Sequence, residues 1–369
     1  METIVFDFNV VNSQPDPDKH ERTGEPKADR PFESYVYPQL LQAANILQYG
    51  GLVAFPTETV YGLGAVYNRE EAVRNIFAVK GRPADNPLIL HIYSLEQLSD
   101  LVAEVPAKAS LLMEQFWPGP LTIIFPKRKE VSPLVTAGLN TVAVRMPSHP
   151  VARELLRLTD LAVAAPSANL SGRPSPTKGS HVVADLNGKI DCIIEAGSCQ
   201  AGIESTVLSL AVGHHPIILR PGSVTVEMLE AVLHEAVLSA GPETPDRPQA
   251  PGMKYRHYAP KAPAAVFEGN NEAVVAEINR RLAEKAEKQR TVVIGSSENL
   301  RRYRNQWVLD LGPRDQPEIA ARRLYDLLRF CDELRAEQIY IEGVATAGVG
   351  TAVSNRLRKA VGGQVIHVS

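Results

Sequence analysis

The sequence predicts an α/β fold in two domains, the second smaller and Rossmann-like. Three observations predict it. Short β-rich runs alternate with helix-patterned segments through most of the 369 residues, the pattern of strands and helices packed in layers. The length corresponds to about two domains at ~150 residues each. A proline-rich stretch over 241–263, six of whose residues are proline, interrupts the alternation and divides the chain.

Residues 1–10 (METIVFDFNV) alternate like a short strand. Residues 12–34 are polar and carry Pro15, Pro17, Pro26 and Pro31. Over residues 1–36 there are eight acids and four bases, so 1–35 reads as an acidic, loosely ordered extension. From 36 to 230 strand-like runs (GLVAF, LILHI, LTIIF, TVAVRM, LAVAA, DCIIEA, STVLSL, IILR) alternate with helical patterns (EEAVRNIFAVK, SLEQLSDLV, KASLLMEQF, PVARELLRL). Pro56, Pro126, Pro147, Pro166 and Pro221 each follow one of these strands. Proline cannot donate a ladder hydrogen bond and so ends strands, and strand ends are where α/β proteins build clefts. Residues 231–261 read as a proline-rich linker, although Lys254, Tyr255, Arg256, His257, Tyr258 and Lys261 gather there without an acid. In 262–369, PAAVFEG, TVVIG, QWVLDLG and QIYIEG read as strands. Three amphipathic helices accompany them, the first placing Val274, Ile278 and Leu282 on one face.

Composition narrows the function. Apolar residues at 44% and charged residues at 22% describe a globular chain. No run approaches the ~20 apolar residues of a membrane helix. A net charge of −3 excludes a basic nucleic-acid coat and leaves room for a local basic cleft. Cys192, Cys199 and Cys331 form no CxxC pair and read as buried apolar residues. The N-terminus lacks the apolar region of a secretory signal, so the expected location is cytoplasmic. The histidines show no HExxH pattern, so no protein-held metal is expected.

Generic nucleotide motifs are missing. There is no P-loop and no GxSxG elbow, and Gly62-Leu63-Gly64 and Gly348-Val349-Gly350 each lack the third glycine of GxGxxG. The second could cradle an anion at a helix N-terminus or simply turn the chain. Strand-end loops carry the chemistry instead. Phe55–Gly64 is the first. The Lys80-Gly81-Arg82 loop through Pro87 places two cations around a glycine, suited either to triphosphate oxygens or to a helix C-terminus. Ala164–Gly172 offers small hydroxyl and amide groups, which bind phosphate or ribose or merely form turns. Gly202–Val207 and Leu219–Gly222 complete the set.

In order, PTETVYGLGA, KGRPADNPLILHI, FWPGPLTIIF, TVAVRMPSHP, APSANLSG, ESTV and LRPG resemble the YrdC-like domain of threonylcarbamoyl-AMP synthases across 37–228. PGMKYRHYAPK and the small domain after it resemble the two-domain form of that family. The resemblance implies a YrdC-like twisted mixed-sheet domain over 36–230 with a smaller Rossmann-like domain over 262–369. It implies a nucleotidyltransferase that converts L-threonine, bicarbonate or CO2, and ATP into threonylcarbamoyl-AMP and pyrophosphate. Mg2+ comes with the ATP. The product passes to threonylcarbamoyl transferase proteins acting on tRNA, with weak or no direct tRNA binding here and no membrane.

By the same resemblance Lys80 and Arg82 are the catalytic cations on the triphosphate. Asn86, Thr141, Ser167, Asn169, Ser175 and Arg220 are further ATP contacts. Thr59, His91, Arg145, Ala165 through its backbone, and Ser205 form the threonine pocket, with Thr206 an alternative to Ser205. Without the family, His91 reads as a core histidine and Arg145 as a surface or strand-edge arginine. Glu204 either orients a neighbour or caps a turn. Lys254, Arg256 and His257 would fold over the nucleotide as a lid and add positive charge near its phosphates. Three rivals stand beside this reading. An RNA-binding module is disfavoured by the charge. A hydrogenase-maturation carbamoyltransferase is disfavoured by the missing CxxC pairs. The second domain as a nucleotide sensor is left open.

Overall fold

A computed structural model describes residues 1–8, 36–211, 215–240, 257–284 and 289–369. The acidic segment from 9 to 35, Lys254 and Arg256 lie outside the described residues.

The first sheet has eleven strands: β1 (Ile4–Asp7), β2 (Val53–Phe55), β3 (Gly62–Val66), β4 (Ile89–His91), β5 (Leu121–Pro126), β6 (Thr141–Arg145), β7 (Val163–Ala164), β8 (Cys192–Glu195), β9 (Thr206–Ser209), β10 (Ile217–Arg220) and β11 (Leu238–Ser239). Their spatial order is β1-β8-β2-β3-β7-β4-β6-β5-β9-β10-β11, with parallel and antiparallel pairs mixed. Eight helices accompany them: α1 (Val36–Gln48), α2 (Glu70–Lys80), α3 (Leu98–Leu101), α4 (Ala107–Phe116), α5 (Pro133–Thr136), α6 (Pro150–Thr159), α7 (Gly179–Leu186) and α8 (Val226–Leu233). Strand alternation splits the core into two layers. Val53 and Phe55 of β2 pack under α1 and α6, while Ala54 between them joins Ile76 of α2 and Leu112 of α4 on the other face.

The structure corrects three readings of this part. Residues 4–7 are not outside the domain: β1 pairs in parallel with β8, and Phe6 and Phe8 are buried in the layer under α1. Two aromatic side chains at alternate positions gain more from that burial than an isolated strand end could. Residues 231–240 are not linker, because α8 runs to Leu233, Val237 is buried and β11 pairs with β10. Residues 62–64 are not loop but the start of β3. Two glycines hide the strand from propensity. They are there for packing, since a Cβ at Gly64 would meet Val163 Cγ1 at 2.7 Å and the Phe55 ring at 2.8 Å.

The second sheet is parallel throughout, with β12 (Ala264–Gly269), β13 (Thr291–Ser296), β14 (Val308–Gly312), β15 (Gln338–Glu342) and β16 (Val365–Val368) in the order β14-β13-β15-β12-β16. It departs from the Rossmann order by placing β15 between β13 and β12. Helices α9 (Asn271–Ala283), α10 (Pro317–Glu333) and α11 (Val349–Ala360) cover it.

The two domains share a core. Val60 and Ile203, from loops of the large sheet, lie in one apolar cluster with Leu324, Tyr325 and Leu328 of α10 and Val353 and Leu357 of α11. Ion pairs flank this contact: Arg329 to Asp185 at 2.9 Å and Lys178 to Asp326 at 2.7 Å. Gly202 allows the close approach. It has φ +73°, and a Cβ there would lie 2.3 Å from Arg322 Cα and 2.5 Å from Ala321 O on α10. Gly202→Ala should therefore cost at least about 1–3 kcal/mol for the backbone conformation alone, with the clash on top. Urea midpoints of the two proteins check this; an unchanged midpoint would show that the domains do not dock this closely.

Candidate active site

Sheet register assembles the site. The parallel pairing of β4 with β6 sets His91 beside Arg145, and the antiparallel pairing of β4 with β7 sets His91 beside Val163, just before Ala165. The loops after β2, β7 and β10 and the turn before β9 close around these strand ends. They surround a cleft with about 660 Å3 of empty space, open solvent at its mouth included. Its walls include Thr59, Arg82, His91, Arg145, Ala165, Ser167, Asn169, Ser175, Ser205, Arg220 and His257. The structure thus brings together eleven of the expected site residues, spread over some 200 positions of sequence.

Three others lie outside that lining. Lys80 is buried, and its ammonium donates to the carbonyls of Ser167 and Asn169. It pins the loop after β7 from below. Burial first, and then the charge of Arg82, push its pKa well below the ordinary lysine value. Gly81 beside it takes φ +60° and caps α2, its N–H meeting Ala78 O. The Lys-Gly-Arg loop thus makes a helix cap at Gly81 and sets Arg82 in the cavity lining. Asn86 is buried outside the lining, and its carbonyl accepts from Arg82 Nη2 at 3.3 Å. Thr141 begins β6, opposite Pro126 of β5, at the end of the strand remote from Arg145.

Arg145 is held from three sides. Its Nε donates to Gly119 O at 3.2 Å, its Nη1 donates to Thr59 Oγ1 at 2.9 Å, and its Nη2 lies 2.6 Å from Glu58 Oε1. The last contact is an ion pair off the hydrogen-bond line, so both terminal nitrogens keep N–H capacity. The pair is also locked by Ser148 N, which donates to Glu58 Oε2 at 3.1 Å. His91 lies edge-on to Phe55 with its Nδ1 3.2 Å from Ile89 O. Burial, then the Arg145 charge, lower its pKa to about 3, so the ring is neutral. The Ala165 N–H is spent on Ile89 O at 3.0 Å, so its carbonyl is what Ala165 offers to the cavity.

Ser205 and Thr206 separate cleanly. Ser205 lines the cavity, its hydroxyl 2.8 Å from Thr122 Oγ1 and 3.1 Å from Arg220 Nη2, which donates to it. The Thr206 hydroxyl is occupied by the backbone of Val224, donating to its carbonyl at 2.6 Å and accepting from its N–H at 3.1 Å. Arg220 is buried, which lowers its pKa, and its Nε donates to Ser205 O at 3.1 Å.

His257 lines the cavity, but not as the cation the sequence predicts. Burial, then the charges of Arg82 and Lys359, lower its pKa to about 4. Sequence reasoning also missed wall residues. Arg173, just past the Ala164–Gly172 loop, and Glu204 both line the cavity. A cation adjoining a loop of small hydroxyl and amide groups was a readable signal; the role of Glu204 stayed open between orienting a neighbour and capping a turn, because Tyr325 and Arg356 reach it from the other domain. The three cysteines are buried, and burial raises their pKa values, to about 12 for Cys192 and Cys331. Among the described residues no group of histidine, cysteine and carboxylate side chains has the arrangement of a metal site, and no helix is long and apolar enough to cross a membrane.

The chain is similar to known proteins over both domains. Residues 45–222 match a family model described as Telomere recombination, and residues 224–362 match one described as Threonylcarbamoyl-AMP synthase, C-terminal domain. The chain is 49% identical to the threonylcarbamoyl-AMP synthase of Bacillus subtilis over 333 residues, covering 89% of this chain and 95% of that protein. It is 48% identical to the Pyrococcus abyssi protein of the same name, covering 88% and 95%. The crystal structure of P. abyssi Sua5 complexed with L-threonine aligns over the whole of both chains, with a TM-score of 0.87 and 43% identity.

Three histidines with lowered pKa values make a pH prediction. His91, His149 and His257 have native pKa values of about 3, 4 and 4, against ~6.5 unfolded. Below pH ~6.5 the unfolded chain takes up protons that the native chain refuses, so stability falls with pH. Melting temperatures should drop steadily from pH 7 to 5, before most carboxylates titrate, and His149→Gln should reduce the slope. A flat profile would mean that these rings are not held neutral.

Proposed function

The chain belongs to the threonylcarbamoyl-AMP synthase family, and from that premise we propose how its cavity performs the reaction. The overall conversion joins L-threonine, bicarbonate or CO2, and ATP into threonylcarbamoyl-AMP and pyrophosphate, the first step of threonylcarbamoyladenosine modification of tRNA. The observation that carries the site assignment is a cavity walled by Arg82, Arg145, Arg173 and Arg220 together with neutral hydroxyl, amide and imidazole groups. Such a wall suits anionic groups, and the reaction as proposed calls for no covalent nucleophile from it.

The threonine carboxylate takes the remaining N–H groups of Arg145, whose plane Glu58 and Thr59 fix. The Ala165 carbonyl accepts from the threonine ammonium, and Ser205 meets the substrate hydroxyl. The ammonium gives one proton to solvent; the free amine then forms an N–C bond to the carbon, releasing a second proton to solvent when the donor is CO2 and water when it is bicarbonate. His91, with a pKa of about 3, orients the amino acid and is too weak a base to take that proton. A carbamate oxygen then attacks the α-phosphorus of ATP as the bond to pyrophosphate breaks. Arg82 and Arg220 neutralise charge on the phosphates, and Ser167, Asn169, Ser175 and His257 contact the nucleotide.

This is nucleotidyl transfer by positioning and a fixed field. Lys80 supports Ser167 and Asn169 from behind and is a positioning residue. Glu58 and Glu204 are both committed to arginines, so Mg2+ arrives on the triphosphate as part of the substrate. Lys254 and Arg256 remain proposed nucleotide contacts from the linker. Asn86 is proposed to act through Arg82. Thr141 is proposed as a contact at the nucleotide's far end. The near-neutral net charge suits hand-over of the product to threonylcarbamoyl transferase proteins, in a cytoplasmic setting, without binding tRNA strongly.

Product analysis tests the reading. The protein is incubated with ATP, Mg2+, bicarbonate and each amino acid in turn. A threonyl-carbamoyl adenylate is expected with L-threonine, and its absence would overturn the assignment. Arg82→Ala and Arg220→Ala should each lose about 2–4 kcal/mol of transition-state stabilisation, the scale of one preorganised donor. Arg145→Lys should raise KM for threonine while leaving KM for ATP nearly unchanged. Pyrophosphate release measures all three, and near wild-type rates would remove these residues from their roles.

A further inference from the structure

The second domain meets the cavity wall at Val60, at Arg173 through Asp332, and through a buried polar network at Glu204. Glu204 lines the cavity beside Ser205, and its carboxylate is held from both domains. From the first domain, Ser175 Oγ donates to Oε1 at 2.6 Å. From the second, Tyr325 OH on α10 lies 3.1 and 3.0 Å from the two oxygens, and Arg356 Nε on α11 donates to Oε2 at 2.8 Å. Arg356 is wholly buried, and its guanidinium lies 5.8 Å from the centroid of the Tyr258 ring. Tyr258 follows His257 and stacks 5.1 Å from Tyr325.

Burying an ion pair is rarely the cheapest way to join two surfaces, because desolvation consumes most of its attraction. The docking contact has other means: the shared apolar cluster with Val60 and Ile203, and the pairs Arg329–Asp185 and Lys178–Asp326. Neither of those ion pairs involves a cavity-lining residue. The Glu204 contact does, through Glu204 and Ser175 directly and through the peptide link to Ser205, whose hydroxyl and carbonyl both accept from Arg220.

We infer that the second domain completes the catalytic site, with Tyr325 and Arg356 as positioning residues that hold the Glu204 carboxylate and thereby fix Ser175, Ser205 and Arg220 in the cavity wall. This rests on the reaction proposed above and gives the second domain a part in it. The groups facing Glu204 are Arg356 and Lys359 from α11, Arg220 from β10, Tyr325 from α10, Ser175, and His257 and Tyr258 from the segment before β12. Burial alone would raise the Glu204 carboxyl. The Arg356 and Arg220 charges, with hydrogen bonds from Ser175 and Arg356, outweigh it and hold the pKa down to about 2. The wall is therefore anionic at this point throughout the working pH range. It loses that property as pH falls through whatever value Glu204 takes when a partner is removed.

The test compares wild type with Arg356→Met, Tyr325→Phe, and Arg356→Met combined with Glu204→Gln. Threonine-dependent pyrophosphate release is measured from pH 5 to 9, with folding checked by circular dichroism. Arg356→Met should lower kcat/KM about tenfold or more at pH 7.5 and create a new acidic limb, with activity falling as pH drops, that wild type lacks. Adding Glu204→Gln should abolish that limb, because no carboxyl remains to titrate. Tyr325→Phe keeps the ring and removes two contacts, so it should show a smaller change of the same sign, and it carries the comparison if Arg356→Met does not fold. A folded Arg356→Met with the wild-type rate and pH profile would overturn the inference, as would a limb that survives Glu204→Gln. If wild type itself releases no pyrophosphate, the proposed reaction fails. The positioning role is then read from L-threonine binding by calorimetry over the same pH range, where unchanged affinity in Arg356→Met overturns it.

Discussion

A site for two anionic substrates must gather cations away from water before those substrates arrive. In this protein that constraint is met by two buried carboxylates. Glu58 holds Arg145, and Glu204 holds Arg356 with Arg220 nearby. Without Glu204 the buried charges of Arg220 and Arg356 would oppose each other uncompensated, and without Glu58 the buried Arg145 would lose its ion-pair partner, each costing more than the same charge on the surface. Arg220 shows the strain directly: burial lowers its pKa even with Glu204 close by. The carboxylates leave the wall cationic but tolerable, and substrate anions complete the neutralisation.

The carboxylates work only because the backbone delivers them to fixed places. His91 and Arg145 are register partners at the ends of β4 and β6, and a slip of one residue would turn both side chains to the opposite face of the sheet. The loop after β7 cannot rely on register, since β7 has only two residues. Lys80 replaces it, tying two carbonyls of that loop to the end of α2. The turn before β9 is fixed from the second domain, through Ile203 in its core and Glu204 in its polar network. Each wall thus has its own anchor, and the anchors draw on three kinds of interaction: sheet register, a buried cation on backbone carbonyls, and a cross-domain ion pair.

These differences explain what the sequence reveals. Helix α2 is legible to its last residue because apolar positions recur on one face and a glycine follows. The loops at strand ends are legible because prolines and small polar residues mark them. Strand β3 is hidden by glycines whose purpose is contact with Phe55 and Val163, neighbours that only the fold supplies. Lys80 and Arg82 look alike in a Lys-Gly-Arg string, yet the left-handed turn at Gly81 sends one beneath the floor and the other into the wall. Arg356 is the extreme case. It sits on a helix between Asn355 and Leu357, and its partner Glu204 stands 152 residues away. A contact of that separation leaves no local trace.

The same charges decide how the chemistry can proceed. Between pH 5 and 8 His91 and His257 are neutral and Glu204 is ionised, so none of the three exchanges a proton in that range. Cys199, beside the cavity loops, is kept protonated by burial. None of these four groups is therefore a general base poised near neutrality. On the proposed reaction this suits the intermediate better than an active base would. Threonylcarbamoyl-AMP is a mixed anhydride, and a base able to deprotonate the substrate amine could also activate water against the product. A wall of fixed charge stabilises the transition state at the phosphorus without that hazard, because its contribution comes from orientation already secured by folding. The carbamate can form from an amine that has lost its proton to solvent, which leaves the protein to hold and neutralise.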